Sequence, residues 1–230
     1  MNKRSSLKVN AISNWISLLV HIAVGFFLTP FVIMHLEKTG YGIWTLVGSF
    51  IGYYGLLNMG VGSAITRYIA RYAAQNDTKE LNKTANTALV MFCITGVLVV
   101  VISIVVADPL THFFKIEPEH YHAFKYVVWI LGAATALSFP SGLFSAMIAA
   151  HERYIVINLI NIIATLIRTG LTVVILQAGY GLVGVAYSTL AATVFSIVGF
   201  VILTRSVVPQ FRISFGFASD GKRVRGLLPQ

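Results

Sequence analysis

The segment NLINIIATLIRTGLTVVILQ, Asn158–Gln177, decides the fold and poses the functional question. It is long and apolar enough to cross a bilayer, whose hydrocarbon core of ~30 Å needs about 20 helical residues. Yet Arg168 stands near its middle, and no aspartate or glutamate lies within fifteen residues on either side. The departures from apolarity are ordered. Asn158, Asn161, Thr165, Arg168 and Thr172 are separated by 3, 4, 3 and 4 residues, which places all five on one face of a helix. Such a seam turns toward other helices or a water-filled cavity, while Ile, Leu and Val turn toward lipid.

Arg168 is too deep to escape to water. At 1.5 Å per residue it lies ~20 Å from the start of the span at residue 155 and ~14 Å from its end at residue 177, and an arginine side chain reaches roughly half that distance. A charge at the bilayer centre costs about 2.5–3.5 kcal/mol on insertion scales. A hydrated cavity that attracts anions accounts for it. The structural alternatives are a kink whose carbonyls the guanidinium binds, or an acid on a partner bundle.

Working outward, the 230 residues are 57% hydrophobic and 11% charged, with a mean hydropathy of +0.79. A soluble domain of this size has no interior large enough for that composition. Transmembrane spans are expected at about 11–34, 41–57 (extending toward residue 62), 85–106, 126–148, 155–177 and 180–204. They form one all-α bundle over residues 1–205, followed by a basic tail or linker over 206–230. The first run lacks a cleavage pattern and reads as a retained helix.

The net charge of +9 belongs to topology. Thirteen of the 17 Lys and Arg fall at the N-terminus, in the second and fourth loops and in the tail, against Lys38, Lys115 and Lys125 on the other side. By the positive-inside rule both termini are cytoplasmic, and no nucleic-acid partner is implied. The lone Cys93 reads as a small buried hydrophobe. No disulfide or metal centre is expected, and His120 and His122 read as solvated residues of an outer loop, Asp108–Lys125. Every Asp and Glu is expected in a loop or tail.

Two further patterns stand out. Asn10, Asn14, Ser17, His21 and Gly25 follow 4, 3, 4, 4 spacing in the first span. His21 is either a hydrogen-bonded link between helices or a second residue of the cavity. After Gly48, Gly52 and Gly55, read as close-packing positions, and a break around Asn58, Arg67 and Arg71 lie four apart beside Tyr68 and Tyr72. This basic amphipathic segment suits the cytoplasmic headgroup level. Its arginines are simple anchors or gather a phosphate-bearing headgroup. Pro30 and Pro140 are kink candidates.

The stretches NAISNWISLLVHIAVGFFLTPFVIMHL, GYGIWTLVGSFIGYYGLLNMGVGSAITRYIARY and AAHERYIVINLINIIATLIRTGLTVVILQAGYGLVGVAYSTL resemble the polysaccharide biosynthesis and export proteins. These are the O-antigen flippase branch of the multidrug/oligosaccharidyl-lipid/polysaccharide (MOP) exporter superfamily. The resemblance implies one lobe of a MATE-like transporter of two six-helix bundles in a bacterial cytoplasmic membrane. It implies flipping of an oligosaccharide on undecaprenyl pyrophosphate, without cofactor or enzymatic chemistry, alongside polymerase and glycosyltransferase machinery. By position, Arg168 matches the cationic cavity of such flippases. Asn158, Asn161, Thr165, Thr172, His21 and Asn14 are the other cavity candidates, and Arg67 and Arg71 the headgroup candidates. The drug-exporting relatives often carry an acid in the first helix, and this chain has none there. Six spans against the family's twelve to fourteen lead to the expectation of an N-terminal half, completed by a second half or a second copy. The alternatives are a cation-coupled drug or metabolite exporter, a non-transporting half, or a membrane-embedded enzyme, for which the outer loops offer too few groups.

Overall fold

The computed structural model describes residues 3–58 and 61–213. Among these every regular element is helical. Helix α1 spans Lys3–Gly52, α2 Val61–Ala74, α3 Thr78–Phe113, α4 Tyr121–Ala150, α5 Tyr154–Gln177 and α6 Gly181–Val207, with short 3-10 turns at Tyr53–Asn58 and Pro118–His120. All but α2 contain a stretch long and apolar enough to cross a membrane.

The first two expected spans are joined without a loop. Helix α1 runs through both, and the junction is Glu37 alone, whose φ of 58° and ψ of 179° break the helix. One residue can do this because a single left-handed φ redirects the chain sharply, at a strain cost of about 1–3 kcal/mol. Beyond it, residues 38–52 continue the helix and the 3-10 turn Tyr53–Asn58 follows, over the stretch expected as the second span. Pro30 and Pro140 lie inside helices. The α3–α4 loop is shorter than the sequence suggests. Helix α3 continues past Pro109 to Phe113, so Asp108 is helical, not a loop residue, and forms an ion pair with Lys125 of α4.

Two buried apolar clusters hold the bundle. One joins Ile65 and Ile69 of α2 to Phe92, Leu143, Met147 and Phe200. The other joins Val32 and Val47 of α1 to Phe124, Val128 and Val185. Helix α2 therefore packs its Ile65–Ile69 stripe on α3 and α4, while Arg67 and Arg71 stay exposed. The outward faces carry large apolar side chains such as Trp15, Phe26 and Val105, as lipid contact demands.

Close helix approach comes from other glycines than those the sequence suggested. A Cβ added at Gly48, Gly52 or Gly55 would meet nothing within 4 Å, so these positions face open space. At Gly96 it would lie 2.9 Å from the Ala136 carbonyl oxygen, and at Gly132 it would fall 2.6 Å from Ser103 Cβ. The α3–α4 pair needs these two because their backbones meet there. Cys93 is exposed on α3, not buried, since Phe92 takes the inward position beside it. After α6, residues 208–213 fold back over the start of α3. Asn82 Nδ2 donates to the Gln210 carbonyl at 3.0 Å, and Arg212 N donates to Asn82 Oδ1 at 2.8 Å. Asn86 Nδ2 donates to the Arg212 carbonyl at 2.9 Å. The rest of the expected tail, 214–230, lies outside the described residues.

Candidate functional site

Helices α1 and α5 run side by side, and their polar stripes meet. Asn10 Nδ2 donates to the Glu152 carbonyl at 3.1 Å, in the turn before α5. Asn158 Nδ2 donates to Asn14 Oδ1 at 2.6 Å and to Ser13 Oγ at 2.9 Å. His21 Nδ1 lies 3.2 Å from Thr165 Oγ1. The sequence separations of these links are 142, 144 and 144, so the two helices are parallel and in register. An offset of 144 carries Arg168 to residue 24, which is Val24 and is followed by Gly25. The stripe on α1 thus has no polar group left where α5 presents its charge. Among the described residues Arg168 forms no ion pair and no hydrogen bond.

Arg168 instead borders two adjoining spaces. The first, about 430 Å³, lies between α5 and α6 and is lined by His21, Asn161, Thr165, Arg168, Thr189, Thr193 and Ser196, with Ala164 and Ala192. The second, about 300 Å³, lies against both halves of α1 and is lined by His21, Gly25, Tyr41, Trp44, Arg168 and Thr172 among others. His21, Arg168 and Thr189 belong to both. Among the described residues no acid lines either space. A cation with polar neighbours and no counter-charge favours an anionic or strongly hydrated occupant.

Of the candidates read from the sequence, Arg168, Asn161, Thr165, His21 and Thr172 border these spaces. Thr172 does so only marginally, being buried and bonded to Ser188 Oγ at 2.7 Å. Asn14 and Asn158 do not border them and bond to each other. Arg67 and Arg71 sit apart on α2, with the Arg67 guanidinium 6.0 Å from the Tyr68 ring centre. At the α3–α4 turn, His120 pairs with exposed Glu119 at 3.2 Å, with Glu117 close by.

Sequence reading passed over the α6 wall. Thr189, Thr193 and Ser196 repeat at 4 and 3 residues, the same signal that exposed the α5 seam, but without a charge to draw attention. Tyr41 and Trp44 gave no signal, because only the return of the chain at Glu37 brings them to the site.

A family model described as MatE matches residues 15–174, well over half of the chain. The chain belongs to the MatE family. The matched MatE region runs from within α1 to near the end of α5 and so includes Arg168. A MATE crystal structure in the bent conformation is 17% identical, with 98% of this chain and 51% of that one covered at a TM-score of 0.75. An outward-facing multidrug resistance MATE family transporter of the MOP superfamily is 18% identical, with 95% and 50% covered and a TM-score of 0.70. A MOP superfamily transporter from Pyrococcus furiosus, whose reversed binding-pocket polarity suggests a different function, is 18% identical, with 95% and 50% covered and a TM-score of 0.68. No curated protein matches the chain. At these identities the likeness establishes the MatE fold: the bundle has the architecture of one half of such transporters. The chain spans about half the length of the solved structures it matches.

Proposed function

We propose that this MatE chain forms one wall of a pathway that carries an oligosaccharide linked to undecaprenyl pyrophosphate across a bacterial cytoplasmic membrane. The reading rests on Arg168, a cation beside hydroxyls and the Asn161 amide with no acid among the described residues bordering its space. The pyrophosphate of such a lipid is the anion that a membrane-embedded guanidinium would meet, and its glycan is the hydrated group that a polar chamber would admit. Arg67 and Arg71, exposed on α2, gather the headgroup at the cytoplasmic surface, where the bias of Lys and Arg places both termini. The second wall is another six-helix bundle or a second copy, and polymerase and glycosyltransferase machinery supplies and uses the cargo.

The test is surface glycan display in cells that depend on this protein. Arg168→Ala abolishes display with protein level unchanged, and Arg168→Lys retains part of it. Full display by Arg168→Ala overturns the reading. A second reading, a cation-coupled exporter of drugs or metabolites, draws on the likeness to multidrug resistance transporters. It is favoured instead if expression confers drug resistance with no change in glycan display.

A further inference from the structure

The second space beside Arg168 has a composition that the pyrophosphate does not explain. Its wall on the second half of α1 is aromatic, made by Tyr41 and Trp44. Trp44 is half-buried, and both rings pack at the back on the cluster containing Val32, Val47 and Phe124. They are held in place rather than collapsed into the space. Gly25 and Gly48 line the same volume, and a Cβ at either would meet nothing within 4 Å, so room is left beside the rings. Among the described residues neither the Trp44 Nε1–H nor the Tyr41 hydroxyl has a hydrogen-bond partner. A half-buried indole or phenol usually has one. Thr45, also on this wall, donates to the Tyr41 and Gly42 carbonyls at 3.1 and 2.9 Å. Its oxygen therefore faces any ligand as an acceptor.

A flat apolar surface edged by donors and an acceptor, beside a cation, matches one ligand chemistry. A sugar ring has a face of C–H groups that packs on an indole and a rim of hydroxyls that needs both donors and acceptors. A lipid tail would leave the donors unmet. An aromatic cation would gain from the indole face but would enter a space that already holds Arg168 and no acid.

We propose that Trp44 and Tyr41 form a sugar-ring subsite contiguous with Arg168. It receives the sugar next to the pyrophosphate while the guanidinium holds the phosphate. This inference rests on the lipid-linked glycan reading above and assigns the part of that cargo each compartment grips. Trp44 is then a residue that selects for a glycan on the lipid, separate from the residue that selects for its charge.

The experiment uses the full chain in lipid nanodiscs, with Trp15→Phe and Trp129→Phe leaving Trp44 as the single fluorescent reporter. The probes are a polyprenyl pyrophosphate, the same lipid bearing one N-acetylhexosamine, and the uncharged polyprenol. The sugar-bearing lipid shifts Trp44 emission and binds about tenfold more tightly than the bare pyrophosphate, a difference of ~1.4 kcal/mol. Without the reporter, in the otherwise native chain, Trp44→Leu removes that tenfold preference and leaves bare pyrophosphate binding intact, whereas Arg168→Gln weakens both lipids together. Gly48→Leu, which fills the space while leaving both rings in the chain, also removes the preference and guards against a folding defect at Trp44. If Trp44→Leu and Gly48→Leu both keep the sugar preference, the subsite is overturned and the charge reading stands. If neither pyrophosphate lipid binds better than polyprenol and Arg168→Gln changes nothing, the lipid-linked glycan reading fails and the subsite falls with it.

Discussion

His21 Nδ1 lies 3.2 Å from Thr165 Oγ1, and three residues further along α5 Arg168 has no counterpart on α1. The ladder of polar links between the two helices ends one turn before the charge. The register explains why: the position opposite Arg168 is Val24. Both residues border the second space.

That relationship can be reversed. Val24→Asp sets a carboxylate where the ladder lacks a rung and gives Arg168 an ion-pair partner. In cells dependent on the protein, glycan display falls to the level of Arg168→Ala while membrane accumulation is kept. Combining the two changes produces no further loss, because one interaction is removed in both. Display at the normal level in Val24→Asp would show that a free charge at Arg168 is not needed.

The Asn14–Asn158 contact is a strut, away from both spaces. Intramembrane hydrogen bonds between helices average about 0.6 kcal/mol and reach about 1.7. Asn14→Ala and Asn158→Ala each lower thermal stability in detergent by an amount in that range, and the double variant is less destabilised than the sum. Transport activity measured at equal protein level changes less than twofold. Additive losses would mean that the two amides act separately.

Gly132 and Gly48 respond oppositely to the same substitution. Gly132→Ala drives a methyl group into Ser103, whose Oγ lies 3.0 Å from the buried Tyr54 hydroxyl. Overpacking of this kind costs about 1–3 kcal/mol. Gly48→Ala enters open space and gains up to about 1 kcal/mol in helix propensity. Unfolding of the two variants in matched detergent therefore shifts in opposite directions. A destabilising Gly48→Ala would show that this position packs against something in the membrane.

Asn82 fastens the segment after α6 by both ends of its amide. Asn82→Ala leaves that segment attached mainly through Asn86 and buried Val208. Limited proteolysis within residues 208–213 accelerates severalfold, with thermal stability of the bundle changed by no more than about 1 kcal/mol. An unchanged cleavage rate would assign the anchoring to Asn86 and Val208.

Much of this molecule was legible before its structure. The apolar runs fall on the long helices α1, α3, α4, α5 and α6, each with a stretch long and apolar enough to cross a membrane. The 3, 4, 3, 4 spacing of the α5 seam put Asn161, Thr165 and Arg168 on one face, and all three border the first space. The Thr189–Thr193–Ser196 stripe was equally legible and was missed for want of a charged member. What misled was local context. Cys93 sits in an apolar run, yet apolar residues in a membrane protein face lipid as readily as core. Gly48 and Gly52 looked like packing positions because glycine marks either contact or space, and spacing does not distinguish them. The junction at Glu37 reads as a loop because Glu37 and Lys38 interrupt the apolar run, and charge does not distinguish a loop from a one-residue break.

The sequence by itself determined the order of the long apolar helices and the face on which the charge lies. A slab of hydrocarbon forces each backbone to satisfy its own hydrogen bonds, so apolar length and helical period suffice to read them. The tertiary structure alone decided which polar residues are used up and which stay available. A hydrogen bond reaches only about 3 Å, so the fate of each depends on the register between helices separated by more than a hundred residues of chain. That register joins Asn14 to Asn158 and His21 to Thr165 and leaves Arg168 opposite Val24. The return of the chain at Glu37 brings Trp44 to the same space.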